Sequence, residues 1–163
     1  MSPEPRVGAT GLRAFVPPER IVARRLELRG ADAARMSTRG ASPGDVVEVL
    51  DNAGWAFDVR LDAVGPERCD GTVLARRRAR EPRTKIGLFH GLLGPADMRR
   101  MVARATAAGV VGLHPVISEG CLVPAGGPGA EREADEDAGG GWDALAREAA
   151  EASGRGQYPA IAP

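Results

Sequence analysis

The strongest fold signal in the chain is the segment SPGDVVEVLDNAGWAFDVRLDAV, residues 42–64. A Pro-Gly-Asp turn precedes the apolar segment 46–51, and Asn-Ala-Gly at 52–54 is a hairpin signal with apolar alternation on both sides. In the second arm, apolar and charged residues alternate with the period of a strand. Its apolar face would comprise Trp55, Phe57, Val59 and Leu61. The stretch therefore predicts an antiparallel hairpin with one buried face.

Similar short segments lie on both sides of this hairpin. The segments RAFVP, RRLELRG and TVLARRRA, at 13–17, 24–30 and 72–79, read as strands, and ADAARMSTRG at 31–40 reads as a short helix. Short strands at this spacing predict an all-β N-terminal part, a small sheet or barrel over 13–80. Residues 1–12 are polar and contain glycine and proline, which predicts a disordered tail.

After a predicted linker, REPRT at 80–84, the pattern changes from hairpins to alternating strands and helices. KIGLFHGL at 85–92 and VVGLHPVI at 110–117 are continuous apolar runs, which is typical of buried parallel strands. Helices are predicted at 95–108 and 142–153, followed by the approach to a third strand. Residues 84–163 therefore read as the first half of a doubly wound α/β domain.

Charge and composition narrow the function classes. Residues 1–85 carry sixteen Arg and Lys against twelve Asp and Glu, whereas residues 86–163 carry six against ten. A front half rich in arginine is compatible with nucleic-acid binding.

The acidic, glycine-rich segment 124–141 predicts a mobile loop. Cys69 and Cys121 lack metal-type spacing, and no secretory signal or membrane-spanning run is visible, so we expect reduced thiols in a cytoplasmic protein.

Few residues suggest chemistry on their own. No dinucleotide-binding, P-loop or zinc pattern is present, and we expect no metal site. Glu119 follows the carboxyl end of a strand, where ligand groups tend to lie, but it could equally cap or solvate a loop. Glu148 and Glu151 share one face of the last helix and Arg155 lies just beyond its end. This arrangement fits a substrate site, and it also fits a solvated acidic face with a cation at the helix C-terminus.

Four segments taken in order resemble one known family. They are RAFVPPERI, SPGDVVEVLDNAG, ATAAGVVGLHPVISEGCLV and WDALAREAAEASGRGQYPAI, which together extend over essentially the whole chain after residue 12. The set is similar to the bacterial ribosomal small-subunit methyltransferase E family of the SPOUT class. Those enzymes methylate N3 of a uridine in 16S ribosomal RNA with S-adenosylmethionine as donor.

The resemblance implies an architecture and a set of partners. It implies a PUA-like β-barrel that binds RNA, followed by the first half of a SPOUT-type, trefoil-knot α/β domain. It also implies a homodimer in the cytoplasm that acts on 16S ribosomal RNA or the small ribosomal subunit. Neither DNA nor a membrane is expected as a partner.

The resemblance also assigns roles to individual residues. Arg155 and Glu151 would be catalytic, and Glu119, Glu148 and Ser153 would lie on the substrate side. The RNA-binding residues would be Arg13, Arg35 and Arg39. No residue is assigned to the cofactor.

The sequence departs from the family pattern in ways that affect the expected activity. The Gly-Pro-Glu-Gly-Gly loop of the donor pocket does not occur, nor does the later Leu-Arg-x-Glu-Thr-Ala stretch. We therefore expect a fragment or a degenerate member that lacks the donor-binding knot. The alternative is a non-catalytic RNA-binding module.

Overall fold

The computed structural model describes residues 11–119 and 141–162. The chain divides into two compact units, Met1–Arg80 and Glu81–Pro163. The elements of the first unit are β1 (Arg13–Phe15), β2 (Ile21–Val22), β3 (Arg25–Arg29), α1 (Ala31–Thr38), β4 (Val46–Leu50), β5 (Trp55–Val64) and β6 (Arg68–Arg78), with a 3-10 turn at Pro18–Arg20.

The first unit is a six-stranded sheet in the order β1-β4-β5-β6-β3-β2. All neighbours are antiparallel except β1 and β4, which are parallel. The predicted hairpin is present, and the Asp51 carboxylate closes its turn by accepting hydrogen bonds from the amides of Ala53 and Trp55 at 2.7 and 3.0 Å. The expected barrel is not closed. The edge strands β1 and β2 are only three and two residues long and do not pair with each other.

The hydrophobic core of this unit lies on the predicted face of β5. Val59 and Leu61 are fully buried together with Leu26 and Leu28 of β3 and Met36 of α1. Gly71 of β6 permits this packing, because a Cβ there would lie 2.6 Å from Cγ1 of Val59 and 2.9 Å from the Arg60 carbonyl oxygen. The central strands therefore approach more closely than any larger residue at position 71 would permit.

Leu12, at the end of the predicted disordered tail, is ordered. It packs against the core, and its carbonyl accepts a hydrogen bond from the Glu48 amide at 3.1 Å. Cys69 is a free, fully buried cysteine, and burial, assisted by the neighbouring Asp70 charge, raises the pKa of its thiol. The raised pKa makes this thiol unreactive at neutral pH.

The described residues of the second unit form a parallel sheet with two helices. Its elements are β7 (Ile86–Gly91), α2 (Pro95–Ala108), β8 (Val110–Val116), α3 (Gly141–Ser153) and β9 (Ala160–Ile161), and its strand order is β7-β8-β9. Helix α2 starts at a proline and ends at Gly109, whose φ of 97° is the left-handed conformation that favours glycine. The two helices pack together, and Val102, Leu113 and Ala146 form the centre of a small core.

Strand β7 is more exposed than its sequence predicts. Its apolar run indicates a buried strand, yet Ile86 and Phe89 expose 52% and 70% of their surface. Among the described residues, β7 pairs only with β8, so it is an edge strand. Leu88 packs against the core, whereas Phe89, which points to the opposite face, stacks on His114 with ring centroids 4.5 Å apart. The apolar run is thus buried on one face only.

Two further points complete the fold. The segment 124–141, predicted as a mobile loop, and Cys121 lie outside the described residues except for Gly141, which begins α3. No helix within 11–119 and 141–162 has the length and apolar character needed to cross a bilayer.

Candidate nucleic-acid interface

Arginine and aromatic side chains alternate at the open end of the β5–β6 hairpin. Trp55 is directly opposite Arg78 and Phe57 is opposite Arg76 in the antiparallel register. The Cζ atoms of Arg76 and Arg78 lie 3.6 and 3.9 Å from the centroid of the Trp55 ring. Both distances are too short for two guanidinium groups to share one face of the indole, so the ring is held between them. Such cation–π contacts fix two otherwise flexible cations in place.

A groove opens beside this stack. It has a volume of about 550 Å³, and its apolar lining includes Ile21, Phe57 and Val73. Arg24 and Arg76 supply its positive charge and Asp51 a negative one. One Asp51 oxygen is already hydrogen-bonded to the hairpin amides. The groove therefore combines an apolar floor with a mainly cationic rim. We call it the Arg24–Arg76 groove.

The rim residue Arg24 is held in a strained turn. Ala23 and Arg24 form the two-residue connection between β2 and β3 and have φ values of 49° and 65°. A two-residue turn with positive φ at both positions normally uses Asn or Gly, because a side chain there costs on the order of 1 kcal/mol per residue. The Arg24 guanidinium donates to the carbonyls of Val73 and Leu74 at 3.1 Å, and its own carbonyl accepts from the Val73 amide at 2.9 Å. These bonds hold the strained turn against β6.

A charge network occupies the opposite face of the same sheet. Glu48 of β4 pairs with Arg13 of β1 and with Arg77 of β6, and Arg77 also lies 3.4 Å from the Asp58 carboxylate. Burial by itself would raise the pKa of Glu48, but the hydrogen bonds from Arg77 and Arg13 outweigh it, and the pKa is lowered. The alternation along β6 thus sends Arg77 into an ion-pair network, while Arg76 and Arg78 flank the indole.

The three arginines predicted to bind RNA lie away from the groove. Arg13 is in the network just described, with 17% of its side chain exposed. Arg39 is exposed and donates to the Arg13 carbonyl at 2.9 Å, so these two residues do lie together. Arg35 is 3.8 Å from Asp32 on α1. The arginines that line the groove or flank the indole, Arg24, Arg76 and Arg78, were not among the predicted site residues.

Arg155, the leading catalytic candidate, lies in a buried ion pair. It pairs with Glu81, and the two side chains expose 13% and 8% of their surface. The same carboxylate accepts hydrogen bonds from the amides of Gly156 and Gln157 at 2.7 and 3.1 Å. Gly109 provides the space, because a Cβ there would lie 2.8 Å from the Arg155 guanidinium. Glu81, which the sequence places in a linker, therefore anchors the segment after α3.

The other predicted site residues of the second unit differ in solvent exposure. Glu151 is buried, with Nε of Arg147 3.6 Å from its carboxylate. Glu148, Ser153 and Glu119 are exposed, and the Ser153 hydroxyl donates to the Ala149 carbonyl within its own helix. No three His, Cys, Asp or Glu side chains within the described part of the chain are grouped to hold a metal ion.

One sequence signal could have located the groove. Trp55 and Phe57 alternate in one strand, and Arg76 and Arg78 alternate with the same period in the strand that returns beside it. Two matching alternations in a hairpin bring arginine and aromatic side chains together once the register is known. The register depends on bulges between Asp58 and Val59 and between Leu61 and Ala63, which no short-range pattern reveals.

Comparison with known proteins identifies the fold. The chain matches no family model, and it matches no curated protein sequence. It is similar to the structure of a ribosomal RNA small subunit methyltransferase E from Neisseria gonorrhoeae bound to S-adenosylmethionine, with a TM-score of 0.79 and 22% identity. The alignment covers 93% of this chain and 60% of that one.

Two further structures give the same result. A protein of Legionella pneumophila, described as a methyltransferase and solved with bound S-adenosylmethionine, has a TM-score of 0.71 at 17% identity. The alignment covers 93% of this chain and 61% of that one. A protein of Thermotoga maritima described as a predicted RNA methyltransferase has a TM-score of 0.67 at 14% identity, with 92% and 64% covered. The chain thus spans about 60% of the length of the Neisseria gonorrhoeae structure. Over the aligned span it has the fold of these three methyltransferase structures.

Proposed function

We propose that the chain acts in the methylation of N3 of a uridine in 16S ribosomal RNA, with S-adenosylmethionine as methyl donor. The observation that carries the proposal is the fold likeness to a methyltransferase of ribosomal RNA, at a TM-score of 0.79 over 93% of this chain. We further propose that it works in the cytoplasm as a homodimer on the small ribosomal subunit, as the family resemblance of its motifs implies.

The first unit would be the PUA-like RNA-binding part of such an enzyme. Its exposed arginines support this assignment, since guanidinium groups bind phosphates bidentately and stack on bases. Arg24, Arg76 and Arg78 are exposed in one neighbourhood, and Arg39 is exposed elsewhere on the unit. RNA binding through these residues would weaken steeply with salt, because each neutralised phosphate releases counterions.

The second unit would be the first half of the knotted α/β domain. Ligands of open parallel sheets bind at the carboxyl ends of the strands. At that end of β8 the exposed side chains of Val116, Ile117 and Glu119 lie next to one another in the chain, and the Leu92 amide ties the end of β7 to the Val116 carbonyl at 3.0 Å. Apolar side chains suit an adenine ring, so Val116 and Ile117 would contact part of the donor, which supplies the methyl group when it is bound.

The predicted catalytic and substrate-side residues take corresponding roles. The uracil ring carries developing negative charge when N3 loses its proton, and a fixed cation nearby lowers the cost. Arg155 is the candidate for that cation, with its guanidinium held in one orientation by Glu81. Glu151 would be the second catalytic residue, and Nε of Arg147 in the same helix lies 3.6 Å from its carboxylate. The exposed Glu119, Glu148 and Ser153 would face the substrate.

The test uses the full chain with small ribosomal subunits from cells that lack the modification. Radiolabelled S-adenosylmethionine should transfer label to 16S ribosomal RNA, and nucleoside mass spectrometry should identify 3-methyluridine. Calorimetry should show saturable binding of the donor in the micromolar range. A chain that binds neither the donor nor ribosomal RNA would overturn the proposal.

A second candidate is a non-catalytic RNA-binding module. One contrast favours it. The two catalytic candidates, Arg155 and Glu151, lie in buried ion pairs, whereas several arginines of the first unit are exposed. This candidate predicts ribosomal RNA binding at low salt without donor binding or label transfer. The same calorimetry and transfer measurements therefore decide between the two functions.

A further inference from the structure

We propose that the Arg24–Arg76 groove binds an unpaired nucleotide of the RNA, with the base in the groove and the flanking phosphates on Arg24 and Arg78. The proposal rests on the proposed function, since it names where and in what form the RNA is held. It is argued from the groove itself, from the Trp55 stack and from the turn at Arg24.

The groove matches one nucleotide in size and chemistry. A volume of about 550 Å³ falls in the range of roughly 300–1,000 Å³ typical of small-ligand sites. Phe57 and Val73 line it and are almost fully buried, so the floor is apolar and already formed. A base has apolar faces and a polar edge, and the exposed Arg76 guanidinium offers a flat surface on which a base can stack. Asp51 at the lining can accept a hydrogen bond from a base N–H.

The Trp55 stack explains why the charges are held in place. An exposed arginine normally loses rotamer freedom when it binds a phosphate, and that loss weakens the complex. Arg76 and Arg78 have already lost much of this freedom, because both rest on one indole ring at 3.6 and 3.9 Å. Neither guanidinium is paired with a carboxylate in any ion pair of the described residues. Two positioned cations on an aromatic ring suit an anion from outside the chain.

The strained turn points to the same place. Ala23 and Arg24 keep positive φ values although neither is glycine, and hydrogen bonds from Arg24 to β6 hold them there. Backbone strain of this kind tends to persist at sites where a side chain must be positioned. The turn sets an exposed arginine at the rim of the groove that Arg76 also lines.

The concave shape of the Arg24–Arg76 groove favours binding of an unpaired RNA strand over binding of a duplex. Double-stranded RNA is bound across its wide minor groove mainly by shape, whereas single-stranded segments place unstacked bases in pockets lined by aromatic and arginine side chains. A pocket with an apolar floor is accessible only to a base that is not paired. We therefore expect preference for a single strand.

The test measures fluorescence anisotropy of a labelled 12-nucleotide unstructured RNA and of the blunt duplex of the same sequence. The variant is Arg76→Gln with Arg78→Gln in the full chain. The matched control is Arg29→Gln with Arg68→Gln, which removes the same charge from two positions of the same sheet that are 62% and 60% exposed. A second variant, Arg76→Lys with Arg78→Lys, keeps the charge but loses the planar stack. Thermal melts verify that each variant is folded.

The expected results are specific. The wild-type chain binds the single strand at least tenfold more tightly than the duplex. The glutamine variant loses about tenfold or more in affinity, and its salt slope falls by roughly 0.7, because the change removes the one phosphate contact made by Arg78 and each such contact to a single strand contributes about 0.7. The control loses less than about threefold. The lysine variant lies between wild type and the glutamine variant.

Three outcomes contradict the inference, and they show whether the proposed function fails as well. If the wild-type chain binds RNA but the glutamine variant binds as well as the control, the groove is not the site and only this inference fails. Equal binding of single strand and duplex also overturns it. If the wild-type chain binds neither probe at low salt, the RNA-binding function itself fails, and the inference fails with it.

Discussion

Strands β5 and β7 both carry large apolar side chains, but these side chains are buried to different extents in the two units. β5 lies between β4 and β6, and Val59 and Leu61 are fully buried. β7 stands at the edge of a three-stranded parallel sheet, and Phe89 is 70% exposed. An antiparallel sheet can be stable with one face in water, whereas parallel sheets are normally covered on both faces.

The contrast extends to the charged groups. In the first unit, arginines are divided by the alternation of β6 between an ion-pair network with Glu48 and a stack on Trp55. In the second unit, the leading functional candidate Arg155 is in a buried pair with Glu81. The first unit therefore presents cations to its surface, and the second uses its best-placed cation for its own folding. The following predictions test that difference.

The largest effect is expected for Phe15→Ala in the first unit. Phe15 is 1% exposed, so truncation leaves a cavity and should lower the free energy of unfolding by about 4 kcal/mol. Urea unfolding in a Trp142→Phe background, followed by Trp55 fluorescence, reports on this unit. A loss below about 1 kcal/mol would mean that Phe15 is not buried in the folded unit.

The next effect is expected for Glu81→Ala in the second unit. The change leaves the Arg155 cation without its carboxylate and removes the acceptor for the Gly156 and Gln157 amides. We expect a loss of about 2–3 kcal/mol. Trp142 fluorescence in a Trp55→Phe background measures it.

Arg155→Met completes the double-mutant cycle for this pair. If the two residues act on stability through each other, the double variant should be more stable than the sum of the single losses predicts. Strict additivity would show that Arg155 and Glu81 do not act on stability through each other.

A smaller effect is expected from the titration of Glu48 in the first unit. Its pKa is lowered in the folded state, so its contribution to stability is complete above the ordinary value of 4.5 and is lost as the pH falls through the folded pKa. Urea midpoints between pH 7 and pH 3 should therefore fall more steeply for wild type than for Glu48→Gln. Glu67→Gln, a change at an exposed position, is the control and should retain the wild-type slope.

The smallest effect is expected for Phe89→Ala, the same substitution as the first in the other unit. With 70% of Phe89 exposed, the free energy of unfolding should change by no more than about 0.5 kcal/mol. The measurement is urea unfolding followed by Trp142 fluorescence. A loss above about 2 kcal/mol would show that another surface covers this face of β7 in solution, and the contrast between the units would then disappear.

Much of the fold was predictable from local patterns. The turn signals around 42–54 define the central hairpin, and Pro95 and Gly109 bound α2 as predicted. The likeness to the methyltransferase E fold, implied by four motifs, is confirmed by the structural comparison. The site was less predictable, because whether Arg155 binds a ligand or pairs with Glu81 depends on a contact between residues that are 74 positions apart.

The positions of the strands and helices follow from local sequence, because turn residues, caps and apolar periodicity act over a few neighbouring positions. Which arginines reach the surface together depends on how the strands pair. Arg76, Arg77 and Arg78 are equivalent as sequence, but the register with β5 stacks two of them on Trp55 and pairs the third with Glu48. The tertiary structure also decided that the apolar run of β7 remains exposed on one face, since burial depends on the elements that pack against a strand and not on the strand alone.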